Sequence, residues 1–196
     1  YMQSVVKTPK NWAKDGVLTG CINDALNSTE GRDMIYTISV QGHGKYPSEK
    51  VLENPQIEVL SAPTEELKWK YEYYVNQIYE MDKFIGELTA ELSQRNEPTV
   101  LVMYGDHIPA IDITEDDLEN GNLYGTQYII WDNFGMKKDD ENLHTYQLAA
   151  HVMDMLDMQV GTIFTYQQNH KSSETYLSDL KALGYDMINR KNYIYG

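Results

Sequence analysis

Three side chains in this sequence are of types, and in settings, that could handle a cation and an anion together: His43, Asp106 and His107. Each follows a run of apolar residues and lies within two residues of a glycine, in Gln41-Gly42-His43-Gly44 and in Gly105-Asp106-His107. A carboxylate oxygen next to an imidazole nitrogen suits Zn²⁺ or Mn²⁺ better than Ca²⁺, which prefers oxygen alone. Successive side chains on a strand point to opposite faces, so Asp106 and His107 can reach one ion only past a strand end, where Gly105 frees the backbone. Two ligands do not complete a site, and a bare Asp-His pair is also an ordinary surface dipeptide. His43 reads either as a loop histidine bonded to backbone or as a substrate contact. Its flanking glycines fit both, as turn residues or as openings that let a ligand approach the main chain.

Other polar groups carry less. Asp112, Glu115, Asp116, Asp117 and Glu119 lack the spacing of a calcium loop and read as a solvated face. His144, His151 and His170 show no paired ligand spacing and read as structural. The 16 tyrosines could suggest sugar stacking, yet Tyr71 and Tyr74, with Ile78, fall on a helical stripe and read as core. Cys21 is the single cysteine, which excludes an intrachain disulfide and a cysteine-cluster metal site.

The elements that must position the three residues alternate between strand and helix patterns. Residues 11–26 carry apolar positions from Trp12 to Leu26 at helical spacing, closed by Asn27-Ser28. Residues 34–40 are apolar and β-branched and predict a strand that delivers His43. Residues 46–64 are polar and proline-marked and read as irregular surface, and residues 65–94 predict the longest helix. Residues 99–104, apolar on both faces, predict a central strand that delivers Asp106 and His107, and residues 127–131 predict a third strand. A helix over residues 146–156 and a tail over 176–196, with Gly184 as a helix stop, complete the reading. This alternation predicts an α/β fold, a mostly parallel sheet flanked by helices. His43 and the Asp106-His107 pair then lie on one sheet edge, where such folds collect ligands.

The bulk numbers limit the partners. A net charge of −14, with 16 basic residues, argues against nucleic acid and requires a cation to offset the field for any anionic substrate. No stretch approaches the roughly 20 apolar residues of a bilayer span. The opening Tyr1-Met2-Gln3 has neither a basic nor an apolar leader and reads as the start of a segment from mid-protein.

Two segments carry a resemblance. Ile38-Ser39-Val40-Gln41-Gly42-His43-Gly44-Lys45-Tyr46 resembles a "TMQNHGGY" stretch, and Thr99-Val100-Leu101-Val102-Met103-Tyr104-Gly105-Asp106-His107-Ile108-Pro109 resembles "TIIVMFGDHQP". Both stretches belong to the lipoteichoic acid synthase and phosphoglycerol transferase branch of the sulfatase-like, alkaline phosphatase superfamily. Tyr128-Ile129-Ile130-Trp131-Asp132-Asn133 resembles that branch's "PFIIWSNY" strand, and Leu183-Gly184-Tyr185-Asp186-Met187 its late "QYDML" element. The resemblance implies that residues 1–196 are the C-terminal portion of one alkaline phosphatase/sulfatase-like catalytic domain, incomplete on its N-terminal side. It implies that Asp106 and His107 bind a divalent metal, Mn or Zn with Mg possible, and that His43 contacts the substrate's phosphate or glycerol group. The nucleophile, a threonine, would lie upstream of this chain. The implied substrate is a glycerophospholipid or glycerol-phosphate polymer, handled outside the cytoplasmic membrane by a parent anchored through upstream helices. Gly42 departs from the usual Asn and Lys45 from the usual Gly. A sulfatase, phosphodiesterase or phosphoethanolamine transferase of the same superfamily, and a non-catalytic binding module, remain the other readings.

Overall fold

The longest apolar stripe of the sequence becomes the longest helix. In the computed structural model, which describes residues 5–189, this helix, α2, spans Glu65–Leu92. The Thr64 side chain accepts the Leu67 amide at 3.2 Å, and Glu65 and Glu66 place negative charge at the positive end of the helix dipole. The described residues fall into two compact units, divided after Asn133, and α2 is the spine of the first.

The C-terminal half of α2 is apolar where it is buried. Phe84, Leu88 and Leu92, spaced four apart, form a core cluster against Leu18, Ile22 and Leu26 of α1 (Gly16–Leu26) and against Leu101 and Trp131 from the sheet. The N-terminal half is buried through polar groups instead. Asn76 accepts the amides of Gln56 and Ile57 at 2.7 and 3.1 Å and donates to the Ile57 carbonyl at 2.8 Å, while Glu72 accepts the Val59 amide at 3.2 Å. The irregular segment over residues 46–64 has no ladder to satisfy its main chain, so α2 supplies side-chain partners. This corrects the expectation that Tyr71, Tyr74 and Ile78 form the core here, since both tyrosines are only half-buried. The buried face carries Glu72, Tyr73, Asn76 and Gln77, and Ile78 is 39% exposed.

Two predicted strands form, as β1 (Val100–Tyr104) and β2 (Tyr128–Asp132), but they pair antiparallel, with Val100 opposite Asp132 and Tyr104 opposite Tyr128. A parallel pair needs a crossover, usually helical. The 105–127 connection contains only a 3-10 turn, Glu115–Asp117, and so brings the chain back antiparallel. The sheet is therefore not mostly parallel among the described residues. Residues 34–40 form no strand either: no described strand pairs with them, and Met34, Tyr36 and Ile38 are 88, 69 and 69% exposed. β propensity alone does not make a strand without a ladder partner.

Helix α1 begins at Gly16 rather than near Asn11 because residues 7–13 fold into a turn. Lys7 bridges to Ala13, the Thr8 hydroxyl accepts the Trp12 amide at 3.2 Å, and Asn11 takes a left-handed conformation, φ 68°.

The described residues of the second unit form three α-helices, α3 (Leu148–Met155), α4 (Gly161–His170) and α5 (Tyr176–Asn189). Its core includes Leu148, Val152 and Tyr176, with the buried Gln167 amide donating to the Tyr146 carbonyl at 2.8 Å and to the Tyr176 hydroxyl at 3.1 Å. Gly184 does not stop a helix; α5 runs through it, since one glycine costs only about 1 kcal/mol against alanine. The rest of the expected tail, residues 190–196, and the opening Tyr1-Met2-Gln3 lie outside the described residues. No described helix is long and apolar enough to cross a membrane.

Candidate functional site

His43 sits at the tip of a loop fixed from both ends. Its amide donates to the Val40 carbonyl at 3.1 Å, closing a turn. The Tyr46 hydroxyl reaches back to the Gly42 carbonyl at 2.9 Å, and the Tyr46 ring meets Tyr74 and Tyr73 edge-on at 5.6 and 6.4 Å. Burial, reinforced by the neighbouring Tyr74 and Tyr73, pushes the Tyr46 phenol up to about 12, so it stays a donor at any physiological pH. Gly42 lies against α2 so closely that a Cβ there would stand 3.0 Å from Met81 Sδ. A side chain there is limited by this contact rather than by turn geometry, since Gly42 has no positive φ. Lys45 is exposed.

Asp106 and His107 leave the end of β1 in a second loop. The Gly105 amide donates to the Gln127 carbonyl at 3.2 Å and the Gly105 carbonyl accepts the Thr126 hydroxyl at 2.7 Å, so the approach to β2 braces the turn. Ile111, 5% exposed, anchors the far side. Next to the pair, the hydroxyls of Tyr104 and Tyr36 lie 3.1 Å apart, and this bond raises the Tyr104 phenol's pKa, with Asp106 adding a smaller push.

The two loops meet. The His43 and His107 ring centroids are 6.2 Å apart, edge to face, and Asp106 Oδ1 is 3.6 Å from His107 Nε2. Both histidines contact a carbonyl through Nδ1, His43 to Gly44 at 2.7 Å and His107 to Ile108 at 2.8 Å. A carbonyl can only accept, so Nδ1 carries hydrogen in each ring and the neutral imidazole keeps its lone pair on Nε2. Backbone bonds of this kind orient metal-ligating histidines. Two donors about 2.0 to 2.1 Å from one zinc stand about 3.3 Å apart at the tetrahedral angle, so a 3.6 Å separation needs little adjustment to share a cation. The donor set fits such an ion in chemistry and spacing but supplies two corners. Among the described residues no group of three or more His, Cys, Asp or Glu could hold a metal.

All three site residues named from the sequence thus converge in the first unit. Trp12, read from the sequence as a helix position, joins them: the turn before α1 sets its ring edge-on to His43 at 5.3 Å. The turn residues Pro9 and Asn11 were the available signal. The buried Asp15 behind the His43 loop had none, because nothing in a sequence marks one carboxylate as buried; the buried Gln41 lies within the stretch that carries the resemblance but has no role there.

The remaining candidates behave as structural groups. Asp112 pairs with Lys70 at 2.6 Å, and Asp117 caps its own turn through the Thr114 hydroxyl and amide, which lower its pKa. In the second unit His144 stacks on Tyr146 at 5.1 Å, His170 stacks on Tyr166 at 4.8 Å, and His151 Nδ1 is 3.4 Å from Glu141.

In the first unit α1 and α2 pack with a small sheet that has ligand-type side chains at its end, and the fold is of the alkaline phosphatase/sulfatase-like class. A profile of the sulfatase family matches residues 1–158, and the chain belongs to that family. A structure of the Streptococcus pyogenes phosphoglycerol transferase GacH, in complex with sn-glycerol-1-phosphate, superimposes with a TM-score of 0.68 at 22% identity. The match covers 94% of this chain and 51% of GacH, so the chain spans about half the length of that protein. No curated protein matches the chain.

Proposed function

We propose that this chain carries the cation and phosphate half of a phosphoglycerol transferase site, acting on glycerol-phosphate head groups of membrane lipids in cell-envelope polymer synthesis. One observation carries the reading: His43 lies 6.2 Å from His107, which with Asp106 forms a carboxylate–imidazole pair. Membership of the sulfatase family and the shared fold with a phosphoglycerol transferase support it.

In this reading Asp106 and His107 hold a divalent ion, Mn or Zn with Mg possible. When bound, the ion neutralises phosphate charge and lowers the pKa of an attacking hydroxyl. His43 offers Nε2 to the phosphate or a glycerol hydroxyl: as imidazolium it donates, and as neutral imidazole it accepts. Trp12 lies edge-on beside it, at 5.3 Å between ring centroids. The nucleophile is a threonine of the parent protein upstream of these residues. Its oxygen forms the new P–O bond, the lipid's P–O bond breaks, and the leaving alkoxide takes a proton; an acceptor hydroxyl or water then resolves the covalent intermediate. The parent works on the outer face of the cytoplasmic membrane, held by upstream helices, and protease shaving of intact cells tests that placement by releasing this region.

The binding test is calorimetric titration of sn-glycerol 1-phosphate into the chain with and without Mn²⁺, beside His43→Ala and Asp106→Ala. The reading expects Mn²⁺ to tighten phosphate binding in the wild type alone. Binding that ignores Mn²⁺ and both substitutions would overturn it.

A further inference from the structure

We infer that Gln41 and Asp15 are positioning residues that set the His43 loop for substrate, an inference that rests on the function proposed above. Both side chains are 1% exposed, and together they make a reciprocal clasp. The Asp15 carboxylate accepts the Ser39 hydroxyl at 2.6 Å, and the main-chain amides of Gln41 and Val40 favour its charged form. Gln41 Oε1 in turn accepts the Asp15 amide at 2.8 Å, and its Nε2 donates to Gln77 Oε1 at 3.1 Å and Glu80 Oε2 at 2.5 Å. Lys14 closes the set on Glu80 at 2.7 Å. Thus the start of α1 and the middle of α2 both grip residues 39–41, two residues before His43.

The clasp has a chemical cost that mere anchoring would not need. Leucine or valine at these buried positions would hold a loop without desolvating a carboxylate and an amide, and a buried polar network is tolerated only when its members are satisfied. What hydrogen bonds add is direction. Gln41 uses its acceptor and both donors on three different partners, which leaves its backbone little rotational freedom. From there the Val40 carbonyl receives the His43 amide and the Tyr46 hydroxyl holds the Gly42 carbonyl, so the clasp is transmitted to the imidazole by main-chain bonds.

The experiment reads the ring and the ligand separately. Histidine side-chain signals are followed by NMR in the wild type, in Gln41→Ala and in Gln41→Glu combined with Glu80→Gln, and each protein is titrated with sn-glycerol 1-phosphate in the presence of Mn²⁺. His170, in the second unit, is the internal control. Gln41→Ala is expected to shift or broaden the His43 ring signals, to leave His170 unchanged and to weaken the probe about tenfold. The paired exchange keeps one amide and one carboxylate across the same contact and is expected to restore both readings. His43 signals unmoved by Gln41→Ala, or moved with no change in affinity, overturn the inference. If the wild type does not bind the probe, the proposed function fails while the ring signals still decide whether the clasp sets His43. Should Gln41→Ala not fold, Ser39→Ala removes a single contact of the same clasp and is read by the same criteria.

Discussion

His43 and His107 face each other edge to face with ring centroids 6.2 Å apart, and each gives its Nδ1 hydrogen to the carbonyl of the next residue. The shared pattern leaves two Nε2 atoms as the adaptable ends of the site. Long-range ¹H–¹⁵N correlation spectra of the metal-free protein, recorded where the rings are neutral, should report the Nδ1–H tautomer for both. The opposite tautomer at His107 would remove the lone pair that a cation needs and would contradict the donor assignment.

Gly42 is held against Met81 tightly enough that a side chain there must displace the thioether, with 3.0 Å from an added Cβ to Sδ. Gly42→Asn should cost about 1–3 kcal/mol of stability, the range for overpacking a filled contact. Met81→Ala in the same chain should recover part of that loss, because the obstacle is one flexible side chain. Equal denaturation midpoints for wild type and Gly42→Asn would show that the loop has room to move.

Leu88, 2% exposed, joins Phe84 and Leu92 in the cluster that ties α2 to α1 and the sheet. Leu88→Ala should destabilise the first unit by about 2–5 kcal/mol, the transfer loss plus the cavity left behind. Leu60, 88% exposed, provides the contrast, and Leu60→Ala should stay within about 0.5 kcal/mol. Urea denaturation followed by tryptophan fluorescence measures both.

Burial holds the Asp15 carboxyl above its ordinary range, although Ser39 and the Gln41 and Val40 amides pull the other way. The sign follows from proton uptake: with the folded pKa raised, the folded protein binds the Asp15 proton before the unfolded chain does as pH falls. Asp15 therefore adds stability on acidification through its folded pKa towards the ordinary carboxylate range, and that increment is lost as pH rises again. In Asp15→Asn the corresponding slope of stability against pH should be missing. An identical slope in both proteins would mean that Asp15 titrates normally.

Helices α1, α2 and α3 and two of the three strands were legible because periodicity reports which face is buried, and Phe84, Leu88 and Leu92 repeat at helical spacing whatever packs on them. The site's loops were legible for a different reason. Glycine beside a ligand-type residue at the end of an apolar run marks a place where the chain must turn, and His43 and His107 do meet there. Pairing direction was not legible, since Val100–Tyr104 is equally apolar in a parallel or an antiparallel ladder and the connection decides. Residues 34–40 show the same limit, as their composition favours a strand but strand formation needs a neighbour. Helix α4 was missed because Thr165, Gln167, Gln168, Asn169 and His170 give it almost no apolar stripe. Trp12 was misplaced because its apolar character fitted a helix that starts only at Gly16.

The most direct test of a single shared site is a Mn²⁺ titration of uniformly ¹⁵N- and ¹³C-labelled protein followed by paramagnetic broadening, which falls off steeply with distance from the ion. The account predicts that the signals of Asp106 and His107 broaden first and those of His43 with them, at low Mn²⁺ occupancy. Asp106→Ala should abolish that selective broadening. Broadening centred instead on the acidic turn Glu115–Asp117, with His43 and His107 unaffected, would contradict the claim that these loops form one cation and phosphate site.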